Sequence, residues 1–142
     1  ELLKLLLAYP LPHKNYTSLN FLLLAFVMGL ALGCFESVVY YFEHLQSAHA
    51  KGAQILYGMI ATRIFSSDLI HMCCMGLSGL FIFSSRMKKG KISCFIFAVL
   101  LHGIYDFFVG FPNNLKWFSI VVVLLTIAEC RIKYVSLQDS EK

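Results

Sequence analysis

Long apolar stretches dominate the chain, and short polar or proline-containing segments separate them. Crossing a bilayer takes about 20 apolar residues in a helix. Four stretches fit that length, at roughly Leu19–Phe42, Gly58–Ser85, Ile92–Phe111 and Leu115–Glu129. A shorter apolar segment, Glu1–Tyr9, stops at two prolines, Pro10 and Pro12, which end a helix. The pattern predicts an all-α, polytopic transmembrane helix bundle with four full spans and an N-terminal half-helix remnant.

Polar segments predict where these helices end. A loop is expected from Glu43 to about Tyr57, a basic turn at Arg86–Lys91 and a turn at Pro112. We expect one transmembrane domain over residues 1–130, cut at its N-terminus, and a polar tail over residues 131–142.

Composition supports a membrane protein over a soluble one. Hydrophobic residues make up 58% of the chain and charged residues 14%, whereas soluble domains carry about 25% charged residues. The net charge of +4 comes from short basic flanks. Such flanks set membrane topology, and with no RNA- or DNA-binding motif the sequence predicts no nucleic-acid partner.

The basic flanks also predict an orientation. Cytoplasmic loops are enriched in Lys and Arg, so the Arg86–Lys91 turn is expected on the cytoplasmic side. The segment with Lys14 and the tail that begins at Arg131 then fall on that side too. We therefore predict a multi-pass protein of a bacterial cell membrane with a cytoplasmic C-terminus.

Ionisable residues inside the apolar stretches suggest a functional interior. Each costs at least about 2.5–3.5 kcal/mol to insert at the centre of a bilayer. The set is Glu1, Lys4, Glu36, Arg63, Asp68, His71, His102 and Asp106. Pairing for structure alone is the alternative, and we expect it for Arg63 with Asp68, which lie nearer the outer interface.

Helix geometry places the other acidic and histidine residues at similar depth. Counting about 1.5 Å per residue from the cytoplasmic ends puts five of them between mid-bilayer and the outer leaflet: Glu1, Glu36, His71, His102 and Asp106. His102 and Asp106 are four residues apart, so they share a helix face.

A ridge of small residues leads towards one of these carboxylates. Ala25, Gly29 and Gly33 repeat every four residues, which allows another helix to approach closely. Glu36 continues this ridge three residues later, so we expect it to face a packed helix.

The candidate set contains two histidines and several carboxylates, and no serine has an evident base partner. This combination favours chemistry by an activated water molecule. Neither GxSxG nor HExxH is present. Glu, His and Asp from separate helices could bind Zn²⁺, or a glutamate could act as general base without metal. Two rival functions remain: a membrane haem protein with His71 and His102 as axial ligands, and a proton-coupled transporter.

The order of these residues resembles the PrsW family of intramembrane proteases, distant relatives of the CAAX prenyl proteases. Glu1-Leu2-Leu3-Lys4 resembles the second half of the motif EExxK. Glu36 fits FxxxE, with Leu32 in place of Phe, and Ser37 stands where Asn commonly follows. Arg63 and His71 resemble the third feature, and His102 with Asp106 the final HxxxD.

The resemblance implies an intramembrane endopeptidase that cleaves membrane proteins near the outer leaflet, including anti-sigma factors. Glu1 and Glu36 would activate water, and His71 and His102 would hold a metal or stabilise the oxyanion. Asp106 would orient His102 or join it as a ligand. Lys4 and Arg63 would support the carboxylates. Zn²⁺ is the candidate metal, with Glu36, His71, His102 and Asp106 as candidate ligands.

Overall fold

The computed structural model describes residues 1–10, 16–87, 90–111 and 114–139, and most of these residues are helical, with no strand among them. The helices are α1 (Leu2–Ala8), α2 (Ser18–Lys51), α3 (Ala53–Arg63), α4 (Leu69–Arg86), α5 (Ile92–Val109) and α6 (Phe118–Gln138). A π-helical segment (Ile64–Asp68) joins α3 to α4, and a 3₁₀ turn (Asn114–Trp117) precedes α6. The predicted all-α helix bundle is confirmed.

Helix α4 lies at the centre of the bundle. It packs against α1, α2, α5 and α6, and most of its side chains are buried. Helices α2 and α5 instead direct large apolar side chains outward, among them Val27, Phe35, Leu100 and Phe107. In a bilayer such outward apolar side chains face lipid, so α4 is the helix that lipid reaches least.

Three helical stretches of the described residues are long and apolar enough to cross a membrane. They are Ser18–Leu45, Leu56–Arg86 and Ile92–Val109. The predicted count of four spans is not confirmed, because α6 is not among them. Its second half carries Glu129, Arg131 and Lys133, which leaves too short an uncharged stretch.

The predicted polar loop between Glu43 and Tyr57 is wrong. Helix α2 continues to Lys51, and α3 begins at Ala53. Only Gly52 interrupts them, with a φ of 98° that favours glycine. The segment contains three Ala, two Leu and two Gln, which are good helix formers although they are not all apolar.

Helix α6 likewise continues beyond Glu129 to Gln138, so the polar residues after Arg131 extend a helix. Three predicted breaks fall partly outside the described residues: the segment with Pro12 and Lys14, the middle of the basic turn, and the Pro112 turn.

The π-helical segment aligns two side chains that an uninterrupted α-helix would separate. Arg63 and His71 are eight residues apart, which at 3.6 residues per turn leaves them about 80° apart around the helix axis. A π-helical turn takes up more residues than an α-helical one, and this turns His71 back towards Arg63. Both side chains reach Glu36 on α2.

The predicted ridge of small residues is confirmed as the contact between α2 and α4. A Cβ added to Gly29 would lie 2.6 Å from the carbonyl oxygen of His71. One added to Gly33 would lie 2.9 Å from the Cα of Asp68. The two backbones therefore approach closely, and Glu36 lies one turn beyond this contact.

Candidate active site

Four ionisable side chains, each from a different helix, meet beside α4. Glu1 caps α1, Glu36 lies on α2, His71 on α4 and His102 on α5. The two imidazole rings are in edge contact, with centroids 4.8 Å apart and an interplanar angle of 67°. The structure thus brings together four of the five residues that the sequence places in one depth band.

Each histidine is held by its own carboxylate. His71 Nε2 lies 2.8 Å from Glu36 Oε2, and His102 Nδ1 lies 3.1 Å from Glu1 Oε1. A cation binds each carboxylate: Arg63 contacts Glu36 Oε1 at 2.8 Å, and Lys4 contacts Glu1 Oε1 at 2.5 Å. The site therefore consists of two similar halves that join at the histidine rings.

The two carboxylates differ in exposure. The side chain of Glu36 is 53% exposed, whereas that of Glu1 is 6% exposed. Asp106, on the same side of α5 as His102, is also exposed. Helices α2 and α5 both pack on α4 without extensive packing on each other. A substrate can therefore contact Glu36 directly, whereas Glu1 is buried and in contact with His102.

Two buried atoms of the site have no hydrogen-bond partner, Oε2 of Glu1 and Nδ1 of His71. Buried polar atoms are nearly always hydrogen-bonded in native structures, so such exceptions point to a role. When Nε2 of His71 donates to Glu36, its Nδ1 is an acceptor. Both atoms can then accept a hydrogen bond from a substrate or a water molecule.

Asp106 lies at the edge of the site. Its Oδ1 is 4.0 Å from His102 Nε2, which exceeds hydrogen-bond distance. Glu1 is instead the carboxylate that holds the His102 ring, at Nδ1. The i, i+4 spacing correctly predicts that His102 and Asp106 share a face, but it does not make them partners.

The expected pairing of Arg63 with Asp68 is wrong. Arg63 pairs with Glu36, and Asp68 accepts a hydrogen bond from Ser37 at 2.7 Å. Arg63 also lies over the ring of Tyr40, 4.3 Å from its centroid. Sequence reasoning missed Ser37 and Tyr40 as site residues. The available signals were the position of Ser37 directly after Glu36, where the family motif commonly has Asn, and the location of Tyr40 one helical turn after Glu36.

The contact between the two imidazole rings also bears on the haem alternative. Axial ligation needs His71 and His102 on opposite faces of a porphyrin. Rings in edge contact at 4.8 Å leave no room for one, so the arrangement does not favour haem.

The chain matches the sequence model of PrsW family intramembrane metalloproteases over residues 1–128. The chain belongs to the PrsW family. No curated protein and no solved structure matches it significantly. The match spans α1 to α5 and the first half of α6, and so includes every residue of the site. The protein is therefore an integral membrane protein and an intramembrane peptidase, and its substrates are membrane proteins.

The PrsW family description names a metal, and the donor types here are suitable. Histidine nitrogen and carboxylate oxygen are ordinary Zn²⁺ ligands. Among the described residues, however, no three His, Cys, Asp or Glu side chains are grouped so that they could hold a metal ion. Instead, each carboxylate contacts a histidine: Glu36 pairs with His71, and Glu1 pairs with His102. These paired side chains, as arranged here, do not fit a metal ion. The zinc site at Glu36, His71, His102 and Asp106 stays a prediction.

Proposed function

We propose that this PrsW protease hydrolyses peptide bonds of membrane proteins in the outer half of the bilayer, with Glu36 as general base and His102 as the group that stabilises the oxyanion. One observation supports it most: Glu36, His71, His102 and Glu1 form a continuous set of contacts from four helices, and only its Glu36 end is widely exposed.

The exposure of Glu36 favours it over Glu1 as the base. A general base has to reach the water that it deprotonates, within about 2.6–3.2 Å. Glu36 is half-exposed, and Arg63 and His71 fix its orientation. Glu1 is buried, and Lys4 and His102 share its Oε1. We assign Glu1 to orienting His102.

The reaction follows from these positions. Glu36 takes a proton from water as the water oxygen forms a bond to the carbonyl carbon of the scissile peptide. The carbonyl oxygen becomes an oxyanion. When the C–N bond breaks, Glu36 returns the proton to the leaving nitrogen. The products are a carboxyl group and an amine, and Glu36 is again a carboxylate.

His102 is oriented for the oxyanion. Its Nδ1 faces Glu1, which leaves Nε2 as the ring nitrogen for the substrate. When both ring nitrogens of His102 are protonated, Nδ1 donates to Glu1 and Nε2 donates a hydrogen bond to the developing oxyanion. Such preorganised donors act most strongly where water is excluded. His71 holds Glu36 Oε2 and offers Nδ1 as an acceptor for the substrate.

The proposed substrates are single-pass membrane proteins, with anti-sigma-factor-type regulators as one class. The site lies beside α4 between α2 and α5, so a membrane-spanning segment can reach it from the lipid phase. The predicted orientation places Glu36 and His102 from mid-bilayer towards the outer leaflet. Cleavage there would release the extracellular part of such a substrate and leave its cytoplasmic part attached to most of the membrane-spanning segment.

The first test compares membrane-protein fragments in the source cell. Cells with the intact gene are compared with cells that express the His102→Ala variant at equal level, under several envelope stresses. We expect truncated single-pass proteins only with the intact gene. His49→Ala, in the last turn of α2, is the matched control and should preserve the fragments. Identical fragment profiles in all strains would contradict the proposal.

Topology is testable by C-terminal fusion. The basic residues that begin at Arg131 predict a cytoplasmic C-terminus. A fluorescent protein fused after Lys142 should fluoresce, and alkaline phosphatase at the same position should be inactive. Phosphatase placed in the Asn114–Trp117 turn should be active. Active phosphatase at the C-terminus would invert the topology and move the site towards the inner leaflet.

A further inference from the structure

A second polar cluster lies behind Glu36, and it centres on Asp68 at the end of the π-helical segment. Asp68 is 2% exposed. It accepts hydrogen bonds from Ser37 Oγ at 2.7 Å and from Cys34 Sγ at 3.6 Å. No Lys, Arg or His of the described residues forms an ion pair with it. A buried carboxylate without a cation is costly, and residues of this kind in membrane proteins usually serve function.

The hydroxyl of Ser37 connects Asp68 to Arg63. A serine hydroxyl has one proton to donate and lone pairs to accept with. Ser37 donates its proton to Asp68 Oδ1 and accepts from Arg63 Nε at 3.2 Å. While Asp68 accepts that proton, the lone pairs of Ser37 are turned towards Arg63. The Asp68 carboxylate therefore sets the orientation of the Ser37 hydroxyl, and through it the hydrogen bond from Arg63 Nε, although Asp68 does not contact the guanidinium itself.

Arg63 carries the effect to Glu36. One terminal nitrogen of the guanidinium donates to Glu36 Oε1 at 2.8 Å and to Ser67 Oγ at 3.2 Å. The ring of Tyr40, on α2, lies against the Arg63 guanidinium. Because Arg63 occupies Oε1, Glu36 presents Oε2 to His71. The contacts thus run from Asp68 through Ser37 and Arg63 to one oxygen of Glu36.

We propose that Asp68 is a positioning residue that fixes the orientation of Glu36 through Ser37 and Arg63; this rests on the proposed role of Glu36. Without the carboxylate, Ser37 can turn its proton to a backbone carbonyl of its own helix, as helical serines commonly do. The lone pairs of Ser37 then point away from Arg63 Nε, and the guanidinium is no longer fixed against Glu36. Asp68 touches neither substrate nor the reacting atoms.

Steady-state kinetics of the full-length protein in proteoliposomes test this, with the substrate that the fragment comparison identifies. Asp68→Ala and Ser37→Ala should each lower kcat about 10- to 100-fold, the effect of losing one hydrogen bond to a charged group, with KM unchanged. The double variant should be no slower than the slower single variant, because both changes break the same connection.

Conservative and remote variants separate positioning from general structure. Ser37→Thr keeps the hydroxyl and should retain most of kcat. Ser119→Ala and Glu129→Gln, in α6, remove a buried hydroxyl and a carboxylate away from the site and should leave kcat unchanged. Multiplicative losses in the double variant, or equal losses in Ser37→Thr and Ser37→Ala, would overturn the proposal.

A second measurement needs no substrate. A double-mutant cycle of Arg63→Gln and Glu36→Gln on thermal unfolding of the detergent-purified protein reports the coupling between these residues. That coupling should disappear in an Asp68→Ala background, or in Asp68→Asn if Asp68→Ala does not fold. Unchanged coupling would overturn the role of Asp68 even in an active protease. If the wild-type protein cleaves nothing, the proposed function fails while this result still stands.

Discussion

Replacing Glu36 by glutamine is expected to abolish peptide cleavage and to leave a folded protein in the membrane. Glutamine has the same shape, and its amide oxygen can still accept from Arg63 or His71. It cannot take a proton from water. General bases contribute about 10²- to 10⁴-fold to rates, so we expect a loss of that size in kcat. KM should change much less, because the side chain keeps its volume.

Single-turnover cleavage by purified protein in proteoliposomes measures this loss. Glu129→Gln is the matched control, since its carboxylate pairs with Lys133 at 3.2 Å on α6 and lies outside the site. Melting temperature and elution volume should show both variants folded. A Glu36→Gln rate within a few-fold of wild type would exclude Glu36 as the base. Glu1, whose Oε2 has no partner, would then be the remaining glutamate of the site.

Apolar length predicts the helices of this protein better than it predicts where they end. The apolar cores of α2, α4 and α5 are evident in the sequence, because a bilayer requires long apolar helices. Their ends are not, because polar residues such as those between Glu43 and Lys51 form helix as readily outside lipid. For the same reason α6 continues to Gln138 through charged residues.

Depth predicts which residues of the site meet, but not which atoms pair. Counting residues along each helix places Glu1, Glu36, His71 and His102 in one layer, and they do meet. Pairing depends also on the rotation of each helix about its axis. Spacing suggests that Asp106 holds His102, yet Glu1 from another helix does so.

The π-helical segment explains why the sequence predicts the wrong partner for Arg63. With α-helical geometry throughout, Arg63 and His71 point in different directions, and Asp68 is the nearest carboxylate in sequence. No pattern in Ile64–Asp68 reveals the wider turn. That turn directs Arg63 to Glu36, and it buries Ser66, Ser67 and Asp68 in succession.

Gly29→Val is expected to remove activity and to lower the stability of the bundle. A Cβ at this position would lie 2.6 Å from the His71 carbonyl oxygen and 2.7 Å from the Cα of Met72. These are backbone atoms of α4, which cannot turn aside as a flexible side chain can. Overpacking of this kind costs about 1–3 kcal/mol or more, and the strain is relieved only when α2 moves away from α4.

Activity should fall further than stability, because this contact sets the distance between Glu36 and His71. A displacement of about 1 Å can cost about 100-fold in rate, so the folded fraction of Gly29→Val should cleave at least that much more slowly. Gly58→Val is the control, since a Cβ there meets nothing within 4 Å. Melting temperature and kcat per folded molecule are measured together. If Gly29→Val lowers only the melting temperature, the close approach of α2 to α4 at Gly29 serves stability alone and does not set the geometry of the site.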